Sequence, residues 1–171
     1  MIYFCLMQNS SHKQRIRPNF KSPSKPDREL LIQAAPAKAW KLAVREATRS
    51  PMPGVYKTGA VIIDSKGNIL VNGCSHPNKD GDMMTTHAER HALSGTAHMD
   101  LRDTTCIVYT LNSNSQGCSW NSRPCLNCAQ ALVRRGVRRA IYPVRDPQTG
   151  IWRIEEDKME GVLEKEIEGA L

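Results

Sequence analysis

The strongest demand on the fold of this chain comes from two short motifs that lie far apart in sequence and must meet in space. One is His87-Ala88-Glu89; the other is Pro124-Cys125-Leu126-Asn127-Cys128, with 34 residues between Glu89 and Pro124. A Cys-x-x-Cys pair alone is a poor guide, because redox pairs and structural metal sites share it. Preceded by His-x-Glu, it completes a set of three metal-ligating side chains and one carboxylate. Thr86 can cap a helix over about residues 87–98. A second helix is expected from Pro124 to about Arg135, stopped by Gly136. Each motif therefore opens a helix, and the fold has to bring two helix starts together.

The rest of the chain supplies a frame for that meeting. Ala39, Trp40, Leu42, Ala43, Val44 and Ala47 fall at helical spacing over 37–48, behind a Pro36 suited to a first turn. Residues 59–63 read as a buried strand, 64–68 as a turn and 69–71 as the returning strand of a hairpin. A polar loop is expected over 75–85, and further strands over 106–110 and 137–143. The order α-β-β-α-β-α-β defines an α/β class with a mixed sheet covered by helices. Beyond it, Asp146-Pro147-Gln148-Thr149-Gly150 is turn chemistry. That turn makes 151–154 a fifth strand antiparallel to the fourth, with an acidic helix over 155–166. The alternative leaves 143–154 as loop and reduces the fifth strand to a parallel stub at the C-terminus.

A chain of 171 residues without repeats is one domain's worth and can bury a proper core. It has no apolar run of about 18 residues, so no membrane span is expected. Residues 1–7 are mostly apolar but lack the basic segment and small-residue cleavage site of a secretory signal. Of six cysteines, two belong to the motif and Cys106 falls in a buried strand, which fits a reduced, cytoplasmic setting. The formal charge of +7 is uneven: residues 1–28 hold six basic side chains against Asp27, and the remainder 18 basic against 16 acidic. Residues 1–28 are accordingly read as a disordered basic arm and 29–171 as the folded domain. The arm is either a solvated extension or a weak phosphate-binding tail.

Three protein ligands leave a tetrahedral zinc one open position for water, and binding lowers that water's pKa to about 7. A helix N-terminus also favours thiolate over thiol. Glu89, two residues from His87, cannot point far from the ion. It is suited to take the water's proton, pass it to a ring nitrogen and then to departing ammonia. His-x-Glu followed by Pro-Cys-x-x-Cys is the signature of zinc hydrolases that deaminate nucleobases. A closed structural zinc site in a non-catalytic scaffold is the competing reading, and Glu89 would have no use in it.

Across roughly residues 36–155 the chain resembles the cytidine deaminase superfamily. The resemblance is carried by Gly59-Ala60-Val61-Ile62, the Gly73-Cys74 loop, His87-Ala88-Glu89-Arg90 and Pro124-Cys125-x-x-Cys128. It implies a cytidine-deaminase-like three-layer α/β/α fold around a mixed sheet of about five strands. It also implies His87, Cys125 and Cys128 as zinc ligands, Glu89 as the catalytic proton shuttle, and the Ala88 peptide along the base pocket. By the same resemblance the protein is a homo-oligomer whose packing completes the pocket. Two departures bear on substrate: Ser75 stands where many members place Asn, and Pro77 where free-cytidine deaminases place a sugar-binding Glu. Ribose recognition of that type is therefore not expected. The expected reaction converts the amine of a cytosine-type nucleoside or nucleotide to a carbonyl, with ammonia released. The rivals are a polynucleotide deaminase, acting on tRNA adenosine or single-stranded cytidine, and a pyrimidine deaminase like that of the riboflavin pathway.

Residues 111–123 form an insertion that leads straight into the cysteines and must border the pocket. In it, Trp120 either stacks on a base, worth about 1–3 kcal/mol, or closes a core or subunit contact. Ser75, His76 and Asn78, on the loop before the first motif helix, are candidate substrate contacts. His91 shares a helix face with His87 and is read chiefly as packing. Cys118 with Cys125 is an alternative ligand pair. Arg134, Arg135, Arg138 and Arg139 mark either a solvated helix end or a nucleic-acid contact. A composition with 5% aromatic residues argues against a broad base-stacking surface.

Overall fold

The computed structural model describes residues 26–78, 85–114, 117–119, 121–159 and 161. Helix α1 (Arg28–Ala34) starts behind Asp27, whose carboxylate accepts the Glu29 N–H at 3.0 Å, and was not foreseen from the sequence pattern. Helix α2 (Ala37–Arg49) follows Pro36 and buries Trp40 and the Ala39, Ala43 and Ala47 stripe. Strands β1 (Tyr56–Ile63) and β2 (Ile69–Cys74) form a hairpin. Its turn is held by Asp64 Oδ1, which accepts the amides of Lys66 and Asn68, and by Gly67 at φ 79°. The expected polar loop contains two short strands that pair with each other, β3 (His76–Pro77) and β4 (Thr85–Thr86). Helix α3 (Ala88–Ser94), β5 (Thr105–Asn112), β6 (Gly117–Cys118), α4 (Leu126–Arg134), β7 (Arg139–Arg145) and β8 (Trp152–Lys158) complete the order.

The sheet runs β2-β1-β5-β7-β8, with β6 folded back on the end of β5. Among the described strands only β5 and β7 are parallel, and α4 is the crossover that such a pair requires. Strand residues alternate between two cores. Val61, Ile63, Ile107, Tyr109 and Ile141 face α1 and α2, whereas Ala60, Ile62, Val108, Ala140 and Tyr142 face α3 and α4. The result is a mixed α/β sheet between two helical layers, as the resemblance implied.

The C-terminal hairpin resolves one open alternative and corrects another expectation. Strands β7 and β8 pair antiparallel from Arg139–Lys158 to Arg145–Trp152, so the parallel stub is not formed. Asp146 Oδ1 accepts the amides of Gln148 and Thr149, and Gly150 takes φ 72° to close the turn. The strand continues through Glu155, Glu156 and Asp157, where an acidic helix was expected to begin. As the edge of the sheet, β8 can carry charge, and its acidic side chains meet arginines from neighbouring segments. Residues 162–166 of the expected helix lie outside the described residues, as do 1–25 of the basic arm.

Two glycines set how closely the helices approach the sheet. A Cβ on Gly59 would stand 2.1 Å from the Ala43 carbonyl oxygen of α2, and one on Gly73 2.4 Å from the Ala92 nitrogen of α3. In both cases the obstacle is helix backbone, which cannot swing aside as a side chain can. Gly73→Ala should therefore destabilise the protein by at least the roughly 1–3 kcal/mol of an overpacked core. Urea unfolding checks this; an unchanged midpoint would show that α3 shifts without cost.

Candidate active site

His87 and Cys125 occupy equivalent places, each the N-cap of a helix with extended backbone. Their carbonyls accept the first helical hydrogen bonds, from His91 N–H at 3.0 Å and Ala129 N–H at 2.9 Å. Neither side chain caps its own helix. Instead His87 Nδ1 lies 3.4 Å from Cys125 Sγ and 3.4 Å from Cys128 Sγ. The three donor atoms all fall within 4.8 Å of one another.

These spacings fit a tetrahedral zinc. Bond lengths of about 2.3 Å to sulfur and about 2.05 Å to nitrogen place neighbouring N and S donors about 3.6 Å apart. Cys128 is buried, and burial, with the charge of Glu89 second, pushes its thiol pKa up. A cation at the site reverses that preference, since a coordinating thiol is deprotonated.

Glu89, one residue into α3, is 3% exposed, and burial raises its carboxyl above the ordinary value. Its Oε2 is buried without a hydrogen-bond partner among the described residues. Buried polar atoms are nearly always paired, so an orphaned carboxylate oxygen calls for an explanation. Glu89 borders a cavity of about 240 Å³, as do His87 and Cys125. Thr58, Thr110, Ser122, exposed Tyr56 and Arg123 also border it.

The remaining candidates are placed as follows. Ser75 borders the cavity, but its Oγ accepts the Thr58 N–H at 3.0 Å and lies 2.9 Å from Ser50 Oγ, which itself donates to the Ser75 carbonyl. The His76 ring meets that of His91 edge-on at 4.7 Å, and Asn78 Oδ1 accepts the Thr86 hydroxyl. Ala88 is fully buried in the core between α3 and the sheet. None of these last three borders the cavity. His91 packs through Nδ1 on the Cys74 backbone. Cys118 lies in the core on the α2 side of the sheet, apart from the His87 cluster. Trp120 lies outside the described residues. In the arginine cluster, Arg135 donates to the Thr96 carbonyl, Arg138 pairs with Asp103 and Arg139 with Glu156.

Sequence reasoning missed Thr58, Thr110, Ser122 and Arg123. The last two directly precede Pro124, and that adjacency was the available signal; the two threonines sit on strands that read simply as apolar.

The layered sheet and its two facing helix starts define the cytidine-deaminase fold class. The chain belongs to one family within it: the family described as the cytidine and deoxycytidylate deaminase zinc-binding region matches residues 34–144. The chain is 31% identical over 123 residues to the tRNA(Ile)-lysidine synthase of Deinococcus radiodurans, a match covering 70% of this chain. It spans only 18% of the length of that curated relative. Its fold is similar to the crystal structure of cytidine deaminase from Burkholderia pseudomallei, with TM-score 0.54 and 17% identity over 73% of this chain and 93% of that one. Cytidine deaminase from Mycobacterium leprae aligns with TM-score 0.49 and 20% identity over 74% and 94%. No described helix is long and apolar enough to cross a membrane.

Proposed function

We propose that this protein is a zinc-dependent hydrolase that deaminates a cytosine-type nucleoside or nucleotide. The observation that carries this reading is the unpartnered Oε2 of buried Glu89, together with one nitrogen and two sulfur donors clustered beside a cavity that Glu89, His87 and Cys125 border. When bound by His87, Cys125 and Cys128, zinc supplies the Lewis acidity that makes water a nucleophile at neutral pH. Glu89 then does the proton work. Its Oε2 takes a proton from the attacking water and delivers it to the ring nitrogen; it then takes the remaining proton of the newly added hydroxyl and passes it to the amine, so that ammonia leaves as the carbonyl forms. The cavity is small for a ligand site and can take a base.

A small substrate is favoured by the folded part of the chain. Arg135, Arg138 and Arg139 are engaged with protein groups, and the charge of residues 29–171 is near neutral. A polynucleotide substrate is the second reading, favoured by the basic residues 1–28 and by the tRNA in the name of the Deinococcus radiodurans relative.

The test is ammonia release by zinc-replete protein from free bases, nucleosides, nucleotides and single-stranded oligomers. Turnover of a monomeric cytosine compound, unchanged when residues 1–25 are deleted, is expected. Turnover confined to an oligomer would overturn it. In that case the fall of log K with log salt should flatten on the deletion, by about 0.7 for each phosphate the arm no longer neutralises.

A further inference from the structure

Arg123 stands immediately before Pro124-Cys125, on a segment tied down at every residue. Ser122 N–H donates to the Pro143 carbonyl at 3.2 Å, Ser122 Oγ accepts the Thr110 N–H at 2.9 Å, and Asn121 Oδ1 accepts the Arg123 N–H at 2.8 Å. The side chain is fixed as well. Nε and Nη2 donate to Asp157 Oδ2 and Oδ1 at 2.8 and 3.3 Å, and the hydroxyl of fully buried Tyr142 donates to the same Asp157 Oδ2 at 2.9 Å. Asp157 therefore holds one edge of the guanidinium in a set direction.

An arginine has five N–H donors, and Asp157 takes two of them. Among the described residues no group accepts from Nη1. The side chain is 51% exposed and borders the cavity beside Cys125. The reacting carbon of a substrate must reach Glu89, which is almost fully buried. What lies at half-exposed Arg123 is then the part of the substrate remote from the ring.

We infer that Arg123 is a substrate-recognition residue that donates to a phosphate of a nucleoside monophosphate at the cavity mouth, with Asp157 and Tyr142 as the residues that position it. The inference rests on the reaction proposed above. A planar fork of donors suits phosphate oxygens, which can accept two parallel N–H bonds. Because Asp157 balances the charge of Arg123, recognition comes from the direction of the donors and not from surplus positive charge. Lysine, with a single compact ammonium, cannot serve Asp157 on one edge and a phosphate on the other.

The experiment compares CMP and dCMP with cytidine and deoxycytidine on wild type, Arg123→Gln, Arg123→Lys and Asp157→Asn, each checked for zinc content and thermal midpoint. Wild type should prefer a nucleotide. Arg123→Gln should lose about 10- to 100-fold in kcat/KM on the nucleotide, the effect of one charge-assisted hydrogen bond. The loss should fall mainly in KM, with nucleoside turnover nearly unchanged. Arg123→Lys should not rescue, and Asp157→Asn should raise KM for the nucleotide selectively. Equal losses on nucleotide and nucleoside, a wild type indifferent to phosphate, or a fully active Arg123→Lys would each overturn the inference. If no cytosine compound is deaminated, the reaction reading fails separately. Calorimetric binding of CMP and inorganic phosphate then decides Arg123: weaker binding by Arg123→Gln supports it, and equal or absent binding in both proteins overturns it.

Discussion

Glu89→Gln should fold, bind zinc like wild type and lose deamination by about 10²–10⁴-fold, the loss expected for a general acid–base group. Glutamine preserves the size of the side chain and can still form hydrogen bonds, so packing inside α3 is undisturbed. It cannot accept and return a proton. The neutral amide also relieves the cost of placing a carboxylate in a buried position, so the thermal midpoint should hold or rise. Steady-state ammonia release, zinc content and thermal unfolding on one preparation separate these effects. Activity within a few-fold of wild type would remove Glu89 from the reaction.

The second large effect concerns the donors. Wild type should hold about one zinc per chain, and Cys125→Ala or Cys128→Ala should lose it, because two remaining protein ligands leave the ion too solvated to stay. Cys118→Ala should keep it, since Cys118 sits in the opposite core. Metal analysis of dialysed proteins decides this. Full occupancy after both replacements together would reject the ligand set. Loss in Cys118→Ala with retention in Cys128→Ala would restore the alternative pair.

Much of the frame was legible because its signals are local. The 64–68 and 146–150 turns announce themselves through Asp and Gly, and strands buried on both faces appear as apolar runs such as 59–63. The clustering of His87, Cys125 and Cys128 was legible because they are rare residue types at a telling spacing. What escaped depends on partners distant in sequence. Residues 155–157 read as a helix because their acidity is typical of one; pairing with β7 and the arginine contacts make them strand. The Arg123–Asp157 contact joins residues 34 apart across the sheet edge, with nothing in either neighbourhood to announce it. Ser75 looked available for a ligand until its hydroxyl met Ser50 and the Thr58 amide.

His87 and Cys125 are the N-caps of α3 and α4, so the proposed reactive groups are held at the starts of two short helices. Other lining residues come from other segments: Met52 before β1, Tyr56 and Thr58 in β1, Val108 and Thr110 in β5, and Ser122 and Arg123 before Pro124. On the proposed roles, chemistry and choice of substrate are written in separate stretches of the gene. On those roles, exchange of the segments 111–123 or 50–58 can retune what is accepted while the reaction itself is inherited intact, the division of labour by which one scaffold serves many diets.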